Sequence, residues 1–238
     1  MLLGVNIDHV ATLRNARGED YPSVIEAAKI CIKLGVNGIT AHLREDRRHI
    51  KDDDIYALKN DLKCRLNMEM AATDEMHKIA LDVLPAACCI VPEKRQEITT
   101  EGGLDVLSQQ ERMIEFVKPL VNAGILVSLF IDPDIKQVEA SYKTGAQYIE
   151  LHTGAYAQAF KTQNEQSEFE KLKSAAEYAQ KLGLKVNAGH GLNYENVHKM
   201  HEIPNIEELN IGHSIISRAI FTGLESAVSE MMSLVYKN

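Results

Sequence analysis

Two histidines and three arginines lie within eight residues, from His42 to His49, directly after a short apolar stretch that begins at Gly38. Arginine binds phosphate or carboxylate through charge-assisted hydrogen bonds, and imidazole exchanges protons near neutral pH. A strand that ends at a histidine and continues into an arginine-rich loop is therefore suited to bind an anion next to a side chain that exchanges protons. Taken singly, each residue could equally belong to a solvated basic turn; the set favours a functional site.

The same arrangement recurs along the chain, where titratable residues stand at or just beyond the ends of apolar runs. These residues are His9, His42, Glu69, Glu93, Asp132, Glu150, His190 and His213. Each has a structural alternative: Glu69 could pair with an arginine in the core, Asp132 could cap a turn, and His152 could be a satisfied core histidine. The functional interpretation depends on how many of them converge at one end of the fold.

The glycines around His190, and Gly212 before His213, predict turns that expose backbone N–H groups. A helix beginning after the last strand would offer its dipole to a phosphate. The loop with Arg44, Arg47 and His49 would hold a second anion. The sequence therefore predicts substrates that bear two phosphates.

Eight short apolar runs alternate with helical patterns, at roughly 30 residues per unit. The predicted strands are 2–7, 38–41, 65–70, 87–91, 125–131, 148–151, 184–188 and 208–211. This alternation predicts a single α/β domain over residues 1–238, a (β/α)8 TIM barrel, whose active face lies at the strand C-termini. A doubly wound sheet is the competitor, but no GxGxxG follows strand one. Residues 10–20 are predicted to be a polar connection.

Composition excludes several other classes. The chain has 238 residues and a net charge of −8, so it offers no basic face to nucleic acid. It shows no leader-like N-terminus and no membrane-length apolar run, and its four cysteines form no CxxC pair. We expect a reduced, cytoplasmic protein with no nucleic-acid or membrane partner.

Seven motifs, in order, resemble those of the pyridoxine 5′-phosphate synthase family, and the resemblance runs nearly end to end. They are Asn6-Ile7-Asp8-His9-Val10-Ala11-Thr12-Leu13-Arg14-Asn15-Ala16-Arg17, residues 42–49, Asn67-Met68-Glu69-Met70, residues 91–95 with 99–103, Glu150-Leu151-His152-Thr153-Gly154, residues 187–192 and Leu209-Asn210-Ile211-Gly212-His213. Residues 155–168 match no family pattern that we can assign.

The resemblance implies a TIM barrel with extra helices that assembles as a homo-octamer. It implies condensation of 1-deoxy-D-xylulose 5-phosphate with 3-amino-2-oxopropyl phosphate, giving pyridoxine 5′-phosphate, phosphate and water. The nitrogen comes from the substrate and no redox step occurs, so no cofactor is expected, and no metal.

The resemblance also implies a role for each site residue. His42 and Glu69 would accept protons, His190 would donate one, and Glu150 would stabilise the transition state. The deoxyxylulose phosphate would bind Asp8, His9, Arg44, His49 and Thr99. The aminoketone phosphate would bind Asn6, Arg17, Gly191, Gly212 and His213, with Arg17 reaching into a neighbouring subunit's site.

Two other classes remain open from the residues alone. A metal-dependent barrel hydrolase or isomerase could use His9, His42, Glu69, Glu150 and His190 as ligands. Against it, the sequence has no close His-x-His pair, and Arg44 would oppose a cation. A non-catalytic phosphosugar-binding protein would need fewer titratable groups than this chain supplies.

Overall fold

The protein is a closed barrel of eight parallel strands in sequence order, with β8 pairing back onto β1. The computed structural model describes residues 1–62, 65–93 and 102–236. The strands are β1 (Leu2–Asn6), β2 (Gly38–His42), β3 (Leu66–Met70), β4 (Ala87–Ile90), β5 (Leu126–Ile131), β6 (Tyr148–His152), β7 (Lys185–Gly189) and β8 (Ile206–Ile211). The predicted (β/α)8 barrel is confirmed.

Ten α-helices are described, and three of them are additional to a simple strand–helix alternation. They are α1 (Asp8–Arg17), α2 (Val24–Leu34), α3 (Asp52–Asp61), α4 (Asp74–Val83), α5 (Gln110–Asn122), α6 (Ile135–Lys143), α7 (Gly154–Ala159), α8 (Glu165–Lys181), α9 (His213–Thr222) and α10 (Leu224–Val235), with 3-10 turns at Leu107–Gln109 and Val197–Glu202. The helices α1, α7 and α9 each begin within two residues of a strand end. They place helix N-termini at the barrel mouth.

Helix α1 corrects the prediction of a polar connection over residues 10–20. Asp8 in its first turn complements the helix dipole, and Val10 and Ala11 are buried on one side. The helix ends at Gly18, whose φ of 69° is a left-handed conformation that glycine adopts without strain. The polar composition of this segment reflects its exposed face, which concealed a short amphipathic helix.

The main core lies between the strands and the surrounding helices. Helix α2 is representative: Ser23 caps it by accepting the N–H of Glu26, and Val24, Ala28 and Cys31 are buried on its inner face. Burying a side chain the size of valine or leucine stabilises the fold by about 1.5–3 kcal/mol. This layer fixes the strands and leaves the barrel interior for polar groups.

Polar side chains cross the barrel interior in a hydrogen-bonded chain. The Thr40 hydroxyl donates to Asn210 Oδ1 over 2.9 Å, and Asn210 Nδ2 donates to Glu150 Oε2 over 2.6 Å. At the opposite end from the mouth, Arg65 forms an ion pair with the buried Glu208. A buried polar group is costly unless it has a partner, so this chain holds Glu150 in a defined position beneath the mouth.

Among the helices of the described residues, none combines the length and the apolar character needed to cross a bilayer.

Candidate active site

Asp8 links the ends of β1 and β2. Its Oδ1 accepts the backbone N–H of His42 over 2.8 Å, and its Oδ2 accepts Asn6 Nδ2 over 2.8 Å. In return, Asn6 Oδ1 accepts the N–H of Asp8 over 2.9 Å. The predicted site residues of strands one and two are therefore brought together and held rigidly, with Asp8 buried at the start of α1.

His42 lies between two carboxylates. Its Nε2 is 2.7 Å from Glu93 Oε1, and its Nδ1 is 3.7 Å from Glu69 Oε2. The second oxygen of Glu93 accepts the N–H of Glu45 over 3.1 Å. Burial acts to raise the pKa of Glu93, but the hydrogen bond and charge of His42 outweigh it, so this pKa is lowered. An ionised Glu93 accepts a hydrogen bond from His42 Nε2 and so orients the ring.

Glu69 stands opposite His42 in the β2–β3 register and has a carboxyl group whose charged form is disfavoured. Burial raises its pKa well above the usual range, and the negative charges of Asp8 and Glu150 raise it further. A carboxyl group that shares a pocket with two others holds its proton at a higher pH than in water. Glu69 can therefore both take and return protons, as general acid–base chemistry requires.

Glu150 lies deeper, on β6. Burial raises its pKa to about 7, although the hydrogen bond from Asn210 acts in the opposite direction. The Cys89 thiol lies 3.8 Å from Glu150 Oε2 and is its second hydrogen-bond donor. A side chain on residue 189 would approach Glu150 Oε1 to 2.4 Å, so only glycine fits there. The carboxyl group is thus confined below the mouth and titrates near neutrality.

His190 follows β7 in a left-handed conformation, with φ of 74°. The Thr153 hydroxyl lies 2.6 Å from the His190 carbonyl oxygen and 2.8 Å from that of Gly189, and it holds this turn. Burial, and then the neighbouring His152, lower the pKa of His190 to about 4. At neutral pH its imidazole is uncharged.

Arg44 is 3% exposed and sits at a small cavity of about 120 Å³ that Glu45, Asp46 and Glu93 also line. Its Nε has no hydrogen bond within the described residues, and the nearest acid oxygen, on Asp46, is 3.6 Å away. A buried guanidinium with an unused donor is suited to an anionic ligand.

His49 lies close by, with its ring centroid 5.9 Å from that of His42. Its Nδ1 accepts the N–H of Ile50 over 2.9 Å, so in the neutral ring Nε2 carries the hydrogen and can donate it. Burial lowers the pKa of His49, which keeps the ring neutral. His49 can therefore add a neutral donor to the charged one of Arg44.

Arg47 does not join this group, contrary to the expectation that it would help to hold the second anion. It binds Asp52 through two nitrogens, over 2.8 and 3.1 Å, and Glu75 through one of them. The hydrogen bond to Asp52 is the main cause that raises the pKa of Arg47. Its ion pairs attach the loop to α3 and α4.

The second predicted anion site lies where β8 enters α9. A Cβ on Gly212 would come within 2.8 Å of Asn6, so the two strands approach too closely for a side chain. His213 opens α9 and its ring is 5.0 Å from that of His9, edge to face. Burial, then the charge of His213, lower the pKa of His9. The neutral imidazole of His9, close to the N-terminus of α9, can donate a hydrogen bond to a phosphate.

Three predicted site residues remain, and the structure describes the positions of two of them. Gly191 has φ of 90° and borders the mouth beside Gly154. Arg17 is the last residue of α1 and is exposed. Thr99 lies outside the described residues.

Asp8, His42 and Glu69 each offer an atom within 4.8 Å of the others, which is close enough for one metal ion. Two carboxylates and an imidazole form a donor set that a divalent cation accepts. The other proposed ligands, His9, Glu150 and His190, do not join this cluster. The expectation that the site works without metal remains a prediction.

Two residues of the site were not given roles by the sequence. Glu93 stands at the end of the fourth apolar run, a position that should have suggested a partner for His42. Asn210, which holds Glu150, carried no signal, because an asparagine inside a strand has many structural uses.

A family model described as pyridoxal phosphate biosynthesis protein PdxJ matches residues 3–237. The chain belongs to this family. A pyridoxine 5′-phosphate synthase of Neisseria meningitidis serogroup C is 57% identical over 237 residues, covering 100% of this chain and 98% of that protein. The synthase of Photobacterium profundum is 57% identical over 231 residues, covering 97% and 95%. The predicted family, and with it the enzyme class, is confirmed.

Among solved structures, phosphoribosyl anthranilate isomerase from Thermotoga maritima resembles the chain with a TM-score of 0.64 and 12% identity. The likeness covers 99% of this chain and 98% of that one. At this identity it supports the barrel fold alone.

Proposed function

We propose that this chain joins 1-deoxy-D-xylulose 5-phosphate to 3-amino-2-oxopropyl phosphate to form pyridoxine 5′-phosphate, phosphate and water. The observation that supports the proposal is that two candidate anion sites, Arg44 with His49 after β2 and Gly212 with His213 after β8, share the strand C-terminal end of the barrel with Glu69 and Glu150. Substrates with one phosphate each would meet between them, over the titratable groups.

The chemistry requires groups that change protonation state repeatedly. Imine formation between the amine and the sugar ketone needs a proton delivered to a departing hydroxyl, and enolisation then needs a base. Glu69, with its raised pKa, and His42, oriented by Glu93, serve as acceptors. His190 serves as the donor, and Glu150 stabilises positive charge on the way to ring closure. The substrate supplies the nitrogen, so neither a Schiff-base lysine nor a cofactor takes part.

The direct test is incubation of the purified protein with both substrates. Pyridoxine 5′-phosphate and inorganic phosphate should appear together, in equal amounts from the condensation. Omission of either substrate should abolish both products. Release of phosphate from one substrate alone would instead indicate a hydrolase.

We also propose a homo-octamer in which Arg17 completes the site of a neighbouring subunit. The exposed position of Arg17 at the end of α1 supports this arrangement, because an exposed arginine can reach a neighbouring subunit. The buried free thiols of Cys31, Cys88 and Cys89 are compatible with the cytoplasm as its compartment.

Mixed subunits test the shared site. Arg17→Ala and Glu69→Gln should each be inactive alone, but a mixed dimer contains one site with both residues intact. Random pairing makes about half the dimers mixed, so roughly a quarter of the wild-type activity should return. Mixed assemblies that stay inactive would show that Arg17 serves its own barrel.

A further inference from the structure

One cavity lies beside the mouth, and Glu69 does not line it. It measures about 1270 Å³, and its wall includes Asp132, His152, His190 and Gly191. Arg44 and Gly212 do not line it, whereas Gly191, a predicted ligand of the aminoketone phosphate, does. A wide cavity that ends on the His190 imidazole gives solvent and small molecules access to that ring from the side.

His152 and Asp132 form a hydrogen-bonded pair on this wall. His152 Nδ1 is 2.9 Å from Asp132 Oδ1, with the imidazole 11% exposed and the carboxylate 54% exposed. The hydrogen bond from His152 is the main cause that lowers the pKa of Asp132, so the acid is ionised. Nδ1 therefore donates, and Nε2 is left to take up or release a proton.

The ring of His152 is held at a fixed angle beside His190. Their centroids are 5.0 Å apart, edge to face, and Phe130 packs against both rings at 5.1 and 6.2 Å. Residue 154 has to be glycine here, since a Cβ would come within 2.4 Å of His152 Nε2. Within the described residues Nε2 has no hydrogen-bond partner, so it is free on the side of the cavity and the neighbouring ring.

His190 needs such a neighbour if it is to donate protons. Burial leaves its imidazole uncharged at neutral pH, and a neutral imidazole is a poor acid. It must collect a proton before each donation, yet Glu69 and His42 are assigned to removing protons from substrate. Among the described residues, His152 is the titratable ring nearest to it on the side away from them.

We propose that His152, oriented by Asp132, is a positioning residue that passes protons from the side cavity to His190. In the step, the proton leaves Nε2 of the His152 imidazolium and bonds to a ring nitrogen of His190, directly or through one water. His152 then regains a proton from solvent in the cavity, while the Asp132 carboxylate offsets its positive charge. This inference rests on the proposed function, because it assigns His190 as the donor in that reaction.

Other charged groups line the same cavity and have to be considered. They are Asp134 and Lys136 at the start of α6, and Glu168 and Lys171 on α8. They offer two negative and two positive charges, which leave no net charge to replace the contribution of Asp132. None of the four has a hydrogen bond to His152 or His190 among the described residues.

The test is chemical rescue of His152→Ala in the full chain. Turnover should fall by roughly 10- to 100-fold, with the KM of each substrate little changed. Added imidazole should enter through the cavity and restore turnover. Methyl-substituted imidazoles of different pKa should restore it to different extents, a dependence that a purely structural role would not produce.

Matched variants complete the design. His152→Gln keeps a polar side chain, but its amide cannot gain or lose a proton near neutral pH. Its turnover should therefore be as low as that of His152→Ala, although circular dichroism should show that it is folded. Asp132→Asn should lose less turnover than the His152 variants, because His152 itself is still present. His198→Ala, at an exposed histidine away from the mouth, should behave like wild type with and without imidazole.

The outcomes separate the two proposals. If the wild-type protein makes no pyridoxine 5′-phosphate, the proposed function is wrong. Active wild type with an equally active His152→Gln, or a slow His152→Ala that no imidazole restores, would overturn the proton relay while leaving the proposed function standing.

Discussion

The two halves of the barrel mouth differ in how most of their charged groups are held, although the first also contains the neutral His9 and His49 and the second contains the Asp132–His152 pair. Around β1 to β4, charged groups are paired: His42 with Glu93, Arg14 with Asp54, and Arg47 with Asp52 and Glu75. Around β5 to β7, Glu150 and His190 are pushed towards their neutral forms by burial. The first half holds charge in place beside one buried arginine with a spare donor, and the second half keeps groups ready to gain or lose protons.

Glu69 lies on β3 in the first half, but burial raises its pKa as it does that of Glu150 in the second half, and its loss should have the largest effect. Glu69→Gln keeps the shape but cannot exchange a proton. Turnover should fall by roughly two to four orders of magnitude, the range for a general base, while phosphate binding persists. Steady-state kinetics on folded protein measures this, and near-normal turnover would make Glu69 a structural residue.

Arg44 and Arg47 separate anion binding from loop fastening within the first half. Arg44→Ala should weaken the deoxyxylulose phosphate by roughly 10- to 100-fold, because a charge-assisted hydrogen bond is lost. Arg47→Ala should lower the melting temperature and leave that affinity largely unchanged, since its partners are Asp52 and Glu75. Calorimetric titration of both ligands checks this, with a bulky replacement of Gly212 as the reverse control. Equal weakening of both ligands by the Arg44 and Gly212 variants would mean that the two sites are wrongly assigned.

Glu93 tests whether pairing in the first half supports chemistry. Glu93→Gln can still accept a hydrogen bond from His42, but this bond is no longer charge-assisted and holds the ring less firmly, so turnover should drop about tenfold. Glu75→Gln removes a carboxylate of the same half that does not touch His42 and serves as the control. An unchanged rate for Glu93→Gln would confine Glu93 to holding the loop.

Glu150 tests the second half through stability. Its folded pKa of about 7 lies above the usual value of 4.5, so the folded state binds the extra proton. That stabilisation is complete below the unfolded pKa and is lost as pH rises through about 7. Wild type should therefore lose stability relative to Glu150→Gln between pH 5 and pH 8, by on the order of 1–3 kcal/mol.

Urea titrations at the two pH values measure the difference. His190, whose folded pKa is depressed, contributes the opposite slope at lower pH, but it is present in both proteins and cancels. Parallel pH profiles for the two proteins would mean that Glu150 is solvated and not held neutral.

The smallest expected effect is that of chelation. Although Asp8, His42 and Glu69 could hold an ion, the acid–base groups and arginines suffice for the proposed steps. Exhaustive treatment with a chelator should leave turnover unchanged, and the purified protein should contain no stoichiometric metal. Activity that is lost on chelation and restored by zinc or manganese would contradict the mechanism proposed here and would indicate a metal-dependent one.

Much of the fold followed from local pattern. Apolar runs of four to seven residues, each followed by a helical segment, admit few arrangements, and parallel strands need crossover connections of about the length of those segments. The strand bounds were correct to within one or two residues because each strand carries buried apolar residues and is bounded by polar or glycine-containing turns. Helix α1 was missed because its exposed face is polar and its buried face is short.

The sequence by itself determined the family, the barrel and the set of residue types that crowd its mouth, because motif order and strand ends are local properties. The tertiary structure alone decided which groups meet. It placed Glu93 against His42 across 51 residues and Asn210 against Glu150 across 60, and it turned Arg47 away to Asp52 and Glu75. The tertiary structure also decided the protonation states. Burial and neighbouring charge set the pKa values of Glu69, Glu150 and His190, and these groups are buried and close to other charges only once the strands have closed into a barrel.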